Sequence, residues 1–250
     1  MNIVLLSGFQ SWLNNLKDTF YLNFIADDRY MYFLNGLGTT LEVTFFACIL
    51  GIFLGAVIAI IRTTHDKLVP DLGKCASKYI LKVLNFLANV YLTIIRGTPV
   101  VVQLMICYFV IFATSKSKVM IAVLAFGINS GAYVAEIIRA GIMSIDNGQL
   151  EAGRSLGFNY IQTMWYIIFP QAFKNILPSL ANEFIVLLKE TSVAGYVGLQ
   201  DLTKAGDIVR GRTFSAFMPL LAVAIIYLIV VMFFTRLVAT LERRLKNSER

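Results

Sequence analysis

Glu151-Ala152-Gly153-Arg154-Ser155-Leu156-Gly157, followed by Ile167-Ile168-Phe169-Pro170, is a polar, helix-forming segment set between long apolar runs. Asp146 suits a helix cap, with Gln149 three residues on in capping-box spacing. A short helix through Leu150, Glu151, Ala152 and Leu156 is expected to stop at Gly157, because glycine tolerates positive φ. A second helix should run from about Tyr160 to Phe169 and close at Pro170. Two short helices joined at a glycine make a compact knob. Ala152 and Gly153 are small enough for a partner to approach closely, and Glu151 can accept hydrogen bonds or pair with a basic residue there. On the residues alone, an amphipathic loop helix resting on a membrane surface fits equally well.

The surrounding chain has 250 residues, 58% of them hydrophobic and only 15% charged, with mean hydropathy +0.72. A soluble domain lies nearer half apolar and a quarter charged, so lipid is the solvent for much of this surface. The net charge of +7 then reads as loop charge that orients the chain. No basic block with interleaved aromatics is present, which argues against nucleic-acid binding. Cys48, Cys75 and Cys107 have no CxxC or Cys/His partner and read as free thiols. The single histidine, His65, sits in a charged connector, so no metal site and no catalytic residue is expected. No basic stretch precedes the first apolar residues, so no cleavable leader is expected.

A bilayer core is about 30 Å thick and is crossed by roughly 20 apolar helical residues. Helix is the default because lipid offers no partner to backbone groups. Five spans are expected, over residues 36–61, 97–115, 119–138, 171–190 and 213–235. The fourth is the weakest, carrying Lys174, Glu183 and Lys189. Residues 79–95 have apolar positions at helical spacing between lysines and read as an interfacial helix leading into span two. The fold class is therefore all-α, a polytopic membrane protein. A segment over 1–32 precedes the spans, amphipathic through Phe9, Trp12, Leu13, Leu16 and Phe20 with Lys17 and Asp18 opposite. The membrane domain covers 33–240 and a short tail 241–250.

Charge sets the sides. Thirteen of the 22 lysines and arginines fall in three regions that share one side of a five-span chain. These are the connector from Arg62 to Arg96, the segment with Arg139 and Arg154, and the tail from Arg236 to Arg250. The positive-inside rule makes that side cytoplasmic. The amino terminus is then outside, the carboxyl terminus inside, and the 146–170 knob faces the cytoplasm.

Three motifs in order carry a resemblance. Glu-Ala-Gly, three residues, glycine, nine residues and Ile-x-Phe-Pro are similar to the EAA loop of bacterial ABC importer permeases. In that pattern a second alanine stands where Gly153 is and a leucine where Phe169 is. Arg96-Gly97-Thr98-Pro99 with Gln103, and Asn129-Ser130-Gly131-Ala132-Tyr133 with Glu136 and Arg139, resemble the polar amino-acid uptake permeases of the histidine/glutamine/arginine/cystine type. The resemblance covers nearly all of residues 36–244. It implies coupling helices seated in a groove of an ATP-hydrolysing subunit, with Glu151, Ala152, Gly153 and Gly157 as contact residues. It also implies two ATPase subunits, a second permease subunit (a copy or a paralogue) and an extracellular or periplasmic amino-acid-binding protein. That protein would deliver substrate to the outer loops, chiefly residues 191–212, in a bacterial inner membrane. No GxxxxGK[S/T] occurs in the chain, so ATP and Mg are expected on the partner.

Ionisable residues inside a span are functional candidates by default. Glu136 and Arg139, three apart, can pair as a helix-end ion pair or act as a gate. Asn129 and Tyr133, four apart, share a direction that suits an amino-acid path, while Ser130, Gly131 and Ala132 also suit helix packing. Asn182 and Glu183 sit near the middle of span four, where an acid attracts a cationic side chain or an α-ammonium, or bonds a neighbouring hydroxyl. Gln103 is a further path candidate. Gly51 and Gly55 have the spacing for close helix packing, and Pro178 suggests a kink in span four. An ion-gradient-driven secondary transporter is the alternative, but such carriers commonly show repeat halves and none is visible. A membrane hydrolase lacks the nucleophile–base pair or metal ligands it needs.

Overall fold

The structure, a computed structural model, describes residues 14–69 and 76–247. Helix α1 spans Tyr30–Leu68, α2 Ala76–Gly97, α3 Val100–Ile106, α4 Lys118–Met143, α5 Asn147–Ser155, α6 Tyr160–Thr163, α7 Phe169–Glu190, α8 Leu202–Thr213 and α9 Phe217–Asn247. No strand occurs among the described residues. Phe9, Trp12 and Leu13 of the expected amphipathic segment lie outside them. Its remainder is helical over 14–20 and ends in a tight turn at Ala26–Asp28, ahead of α1. The tail has no boundary at 241, since α9 runs on to Asn247.

Helices α1 and α4 form the centre of the bundle. The face that α1 buries is made largely of small residues: Gly36, Thr40, Thr44, Ala47, Cys48, Gly51, Gly55 and Ala59. Its opposite face exposes Phe45, Phe46, Ile49, Ile52, Phe53, Val57 and Ile60. Small inside and large outside is the pattern of helices that pack in lipid, where close backbone approach replaces the hydrophobic effect. The Gly51/Gly55 spacing is used for that contact. A Cβ on Gly55 would stand 2.5 Å from Val134 Cγ1 and 2.8 Å from the Ala135 amide. Thr44 returns its hydroxyl to the Thr40 carbonyl (2.7 Å), and the Thr40 hydroxyl accepts the Leu202 N–H (3.1 Å). These bonds satisfy Thr40 and Thr44, whereas the buried Thr63 hydroxyl farther along the same face has no hydrogen-bond partner.

Four helices are long and apolar enough to cross a membrane by length and composition, at Tyr30–Leu68, Ala76–Gly97, Lys118–Met143 and Phe217–Leu245. This differs from the expected five in two places. The expected span over 97–115 is a shorter apolar helix, Val100–Ile111, separated from α2 by Gly97-Thr98-Pro99. Proline has no N–H and disfavours α conformation in the residue before it, so the helix breaks there. Residues 79–95, read as interfacial, lie within the 22-residue α2. Arg96 at its end meets Glu136, well inside α4. The apolar stretch is thus divided between α2, long enough to cross by itself, and the shorter α3 that follows the break. The expected fourth span, α7, carries Lys174, Glu183, Lys189 and Glu190, which dilute its hydropathy, yet it packs on α4 and buries Ile176, Ile185, Leu187 and Leu188.

Pro170 does not close the second knob helix as expected. It sits in the first turn of α7, and the chain stays helical from Tyr160 to Glu190 through a wide turn at Met164–Ile168. There the Phe169 N–H bonds the Met164 carbonyl five residues back. A wide turn of this kind relieves the steric conflict between a proline ring and the preceding turn.

Candidate functional site

The knob is built from two local devices. Asp146 caps α5 by accepting the Gly148 N–H (2.7 Å). At the other end, Gly157 has φ +84, its N–H bonds the Arg154 carbonyl (2.9 Å), and the Phe158 N–H bonds the Gly153 carbonyl (3.0 Å). This is the paired pattern of a glycine-terminated helix. The expected capping box at Asp146 and Gln149 is not formed: Asp146 accepts from Gly148 and not from Gln149, and the Gln149 side chain faces Gln171 at 3.4 Å. The box lies at the second helix. Asn159 accepts the Gln162 N–H and the Gln162 side chain accepts the Asn159 N–H, both at 2.9 Å. Truncating a cap costs about 1 kcal/mol. Asn159→Ala is therefore expected to destabilise the second knob helix by about that amount, read as faster amide hydrogen exchange over residues 160–168 in the purified protein.

Glu151 and Ala152 are exposed on α5, as are Leu156, Ile161, Trp165 and Tyr166 around them. Gly153 is different. It is buried, and a Cβ there would stand 2.5 Å from Thr163 Cγ2 and 2.8 Å from its hydroxyl. The close approach expected from an outside partner is made by the chain's own second helix. Gly153 thus fixes how α5 and α6 sit together rather than offering a contact.

A ladder of charges ties the knob to the spans. Arg62 donates to Glu136 Oε1 at 2.6 Å and Arg96 lies 3.6 Å from the same oxygen. Arg139 reaches Asp66 at 3.2 Å, and Lys67 donates to Asn147, the first residue of α5, at 2.7 Å. The expected Glu136–Arg139 pair is therefore not formed. Each partner finds an opposite charge on another helix, because α1 brings Arg62 and Asp66 alongside α4. Sequence reading missed Arg62, Asp66, Lys67 and Arg96 as members of the site. A usable signal was present in α2, where Lys82, Asn85, Asn89, Thr93 and Arg96 recur at helical spacing.

The expected path residues divide into two groups on different sides of α4. On one side Asn129 donates to Gln103 Oε1 (3.0 Å), and the Arg96 guanidinium lies over the Tyr133 ring at 5.7 Å. Gln103 Nε2 also donates to the Ile95 carbonyl (2.7 Å). Pro99, four residues on, cannot supply that carbonyl's usual N–H, so Gln103 repairs the helix break. Gln103→Ala is expected to cost about 1–3 kcal/mol, read as a lower unfolding temperature in detergent. On the other side Ser130 donates to Glu183 Oε1 (2.9 Å), and both residues are buried. Asn182 is exposed, pointing away from its neighbour as successive helix positions do. Among the described residues no group of three His, Cys, Asp or Glu side chains forms a cluster that would hold a metal ion.

A bundle of membrane-crossing helices, with polar pairs inside and a two-helix knob at one end, defines a multi-pass membrane transport subunit. Residues 72–247 match the family model described as "Binding-protein-dependent transport system inner membrane component", and the chain belongs to that family. It is 38% identical over 220 residues to a putative glutamine transport system permease protein of Rickettsia typhi, covering 87% of this chain and 94% of the relative. It is 35% identical over 221 residues to an arginine transport system permease protein of Bacillus subtilis, again covering 87% and 94%. Among solved structures it is similar to an amino acid ABC transporter crystallised with histidines, with TM-score 0.76 and 40% identity over 88% of this chain and 98% of that one. An inward-facing methionine ABC transporter matches with TM-score 0.73 at 17% identity, over 88% of this chain and 99% of that one, a likeness of fold.

Proposed function

We propose that this chain is the permease subunit of an ABC importer that moves polar or charged amino acids into the cytoplasm. The observation that carries the reading is the Glu151 knob, a two-helix body closed at Gly153 against Thr163 and bonded through its first residue to α1. A push on it moves the ends of the spans. Relatives named for glutamine and arginine transport, matched over most of their length, support the substrate class. The motor is a separate ATPase subunit in two copies, holding ATP and Mg and docking on Glu151, Ala152 and the exposed apolar residues around them. A second permease subunit completes the path and an amino-acid-binding protein supplies it from the outside. The chain is oriented with its amino terminus outside and its carboxyl terminus in the cytoplasm, in keeping with the lysines and arginines at the knob end.

The assembled complex in lipid vesicles tests this. With ATP on the knob side and binding protein on the other, accumulation of a labelled amino acid is expected to require ATP. Uptake that continues without the ATPase and follows an imposed ion gradient would establish the secondary-transporter alternative instead.

A further inference from the structure

A cavity of about 380 Å³ lies between α1, α4, α7 and the second knob helix. Ile52, Ala56, Ile60 and Thr63 line it at one-turn intervals along α1, and Phe169, Phe173 and Leu180 line it along α7. Each stripe is about 17 Å long at 1.5 Å per residue. That is close to the depth of one leaflet, half of a hydrocarbon core about 30 Å thick. Ile60, Phe173 and the knob's Trp165 are themselves exposed, so the cavity opens outward from the bundle. Walls this apolar do not hold water. Thr63 is the exception among them. It is buried, at 4% exposure, and its hydroxyl has no partner, whereas Thr64 shares a hydrogen bond with the Tyr160 hydroxyl. A buried hydroxyl without a partner is costly and points to an acceptor from outside the chain. Lys67 stands one turn beyond Thr63 on the same face of α1. Its partner Asn147 is neutral, so that bond leaves its charge uncancelled. The ladder as a whole sets four cations, Arg62, Arg96, Arg139 and Lys67, against the carboxylates of Glu136 and Asp66.

We propose that this cavity holds one acyl chain of an anionic phospholipid, with the Thr63 hydroxyl donating to its ester carbonyl and Lys67 facing its phosphate. The leaflet-long apolar stripes fit a lipid tail. The ester lies where the tail meets the headgroup, which is where the unpaired hydroxyl stands. The surplus positive charge of the ladder favours a headgroup of net negative charge over a zwitterionic one. A helix from a partner subunit fits less well, because its backbone carbonyls are bonded within the helix and leave no acceptor for Thr63. The site rests on the membrane class of the chain and is independent of which solute it carries. When filled, it braces Met164 and Trp165 of the wide turn against α1, so the lipid sets how firmly the knob is tied to the spans.

Fluorescence quenching tests the proposal, since Trp165 lines the cavity and the chain has one other tryptophan, Trp12. The full-length Trp12→Phe protein, with its co-purifying subunits freed of tryptophan, is placed in phosphatidylethanolamine bilayers. The probe is phosphatidylglycerol brominated on its acyl chains, compared with phosphatidylethanolamine brominated in the same way. Quenching by the anionic lipid is expected to saturate, with its midpoint at about a fivefold lower mole fraction, the worth of one lysine at a membrane surface. Lys67→Gln should abolish that preference. Asn147→Ala, which releases Lys67 but keeps its charge, should retain it. Thr63→Val should weaken both lipids by about fivefold, the worth of one hydrogen bond. Quenching that rises in proportion to mole fraction with no headgroup preference reports bulk lipid alone and overturns the proposal. So does an unchanged preference in Lys67→Gln, or wild-type binding by Thr63→Val. A loss in Asn147→Ala as complete as in Lys67→Gln assigns the effect to the knob tie and also overturns it. Quenching that appears only after the other subunits are stripped away identifies a protein as the occupant, with the same consequence.

Discussion

Gly153→Ala is expected to lower ATP-driven uptake by about tenfold while leaving the chain in the membrane. The added Cβ falls 2.5 Å from Thr163 Cγ2, and Thr163 is not free to turn, because its hydroxyl bonds the Asn159 carbonyl at 3.0 Å. Overpacking of this kind costs about 1–3 kcal/mol, and here it falls on the joint between the knob helices. The spans are untouched, so insertion and expression should match the wild type. Thr163→Ala clears both offending atoms, and the double variant Gly153→Ala/Thr163→Ala is expected to regain most of the uptake. Contacting residues couple in this non-additive way. Wild-type uptake by the Gly153→Ala single variant would show that the joint does not matter to coupling. The resemblance places alanine at this position in the general pattern, so positions 153 and 163 are expected to trade volume between them.

Glu183→Gln is expected to shift the ratio of arginine to glutamine uptake by about tenfold, with folding retained. The carboxylate is buried and receives one hydroxyl, that of Ser130. Glutamine keeps the shape and an oxygen for that hydroxyl but removes the charge. If the substrate passes beside this buried carboxylate, the charge acts through a low-dielectric medium, and its removal falls mainly on cationic substrates. Glu183→Ala should behave differently, since it strands the Ser130 hydroxyl and opens a void. Both terms destabilise, and a loss of folded protein is expected. The readout is maximal uptake of each amino acid with binding protein in excess. An arginine-to-glutamine ratio equal to the wild-type value in Glu183→Gln would make the acid a structural partner of Ser130 and nothing more.

The knob shows how far local chemistry can be read. The stop at Gly157 follows from one residue's freedom at positive φ, and it stands at that position. The capping box was legible as a type but misplaced, since Asp146 and Asn159 both have a glutamine three residues on. They differ in the bond each cap makes: Asp146 takes the Gly148 N–H, one position short of the box, while Asn159 takes that of Gln162. Pro170 was legible as a break, yet the wide turn before it lets the helix continue, a choice made by packing rather than by the proline. Glu136 and Arg139 had the spacing of an ion pair. Side chains from α1, more than seventy positions earlier, claimed both.

The sequence by itself determined the membrane class, the all-helical fold, the family and the helix–glycine–helix knob. Each of these depends on hydropathy, charge distribution or backbone freedom within a short stretch. Only the tertiary structure decided that residues 79–95 belong to a helix long enough to cross by itself, that Gly153 is an internal joint, and that Arg96 shares Glu136 with Arg62. The same holds for Asn129 and Ser130, adjacent in sequence, which serve different sides of α4. The physical reason is the small-residue contact between α1 and α4. It sets two backbones close enough that long polar side chains choose partners across helices, and no spacing along one helix encodes that choice.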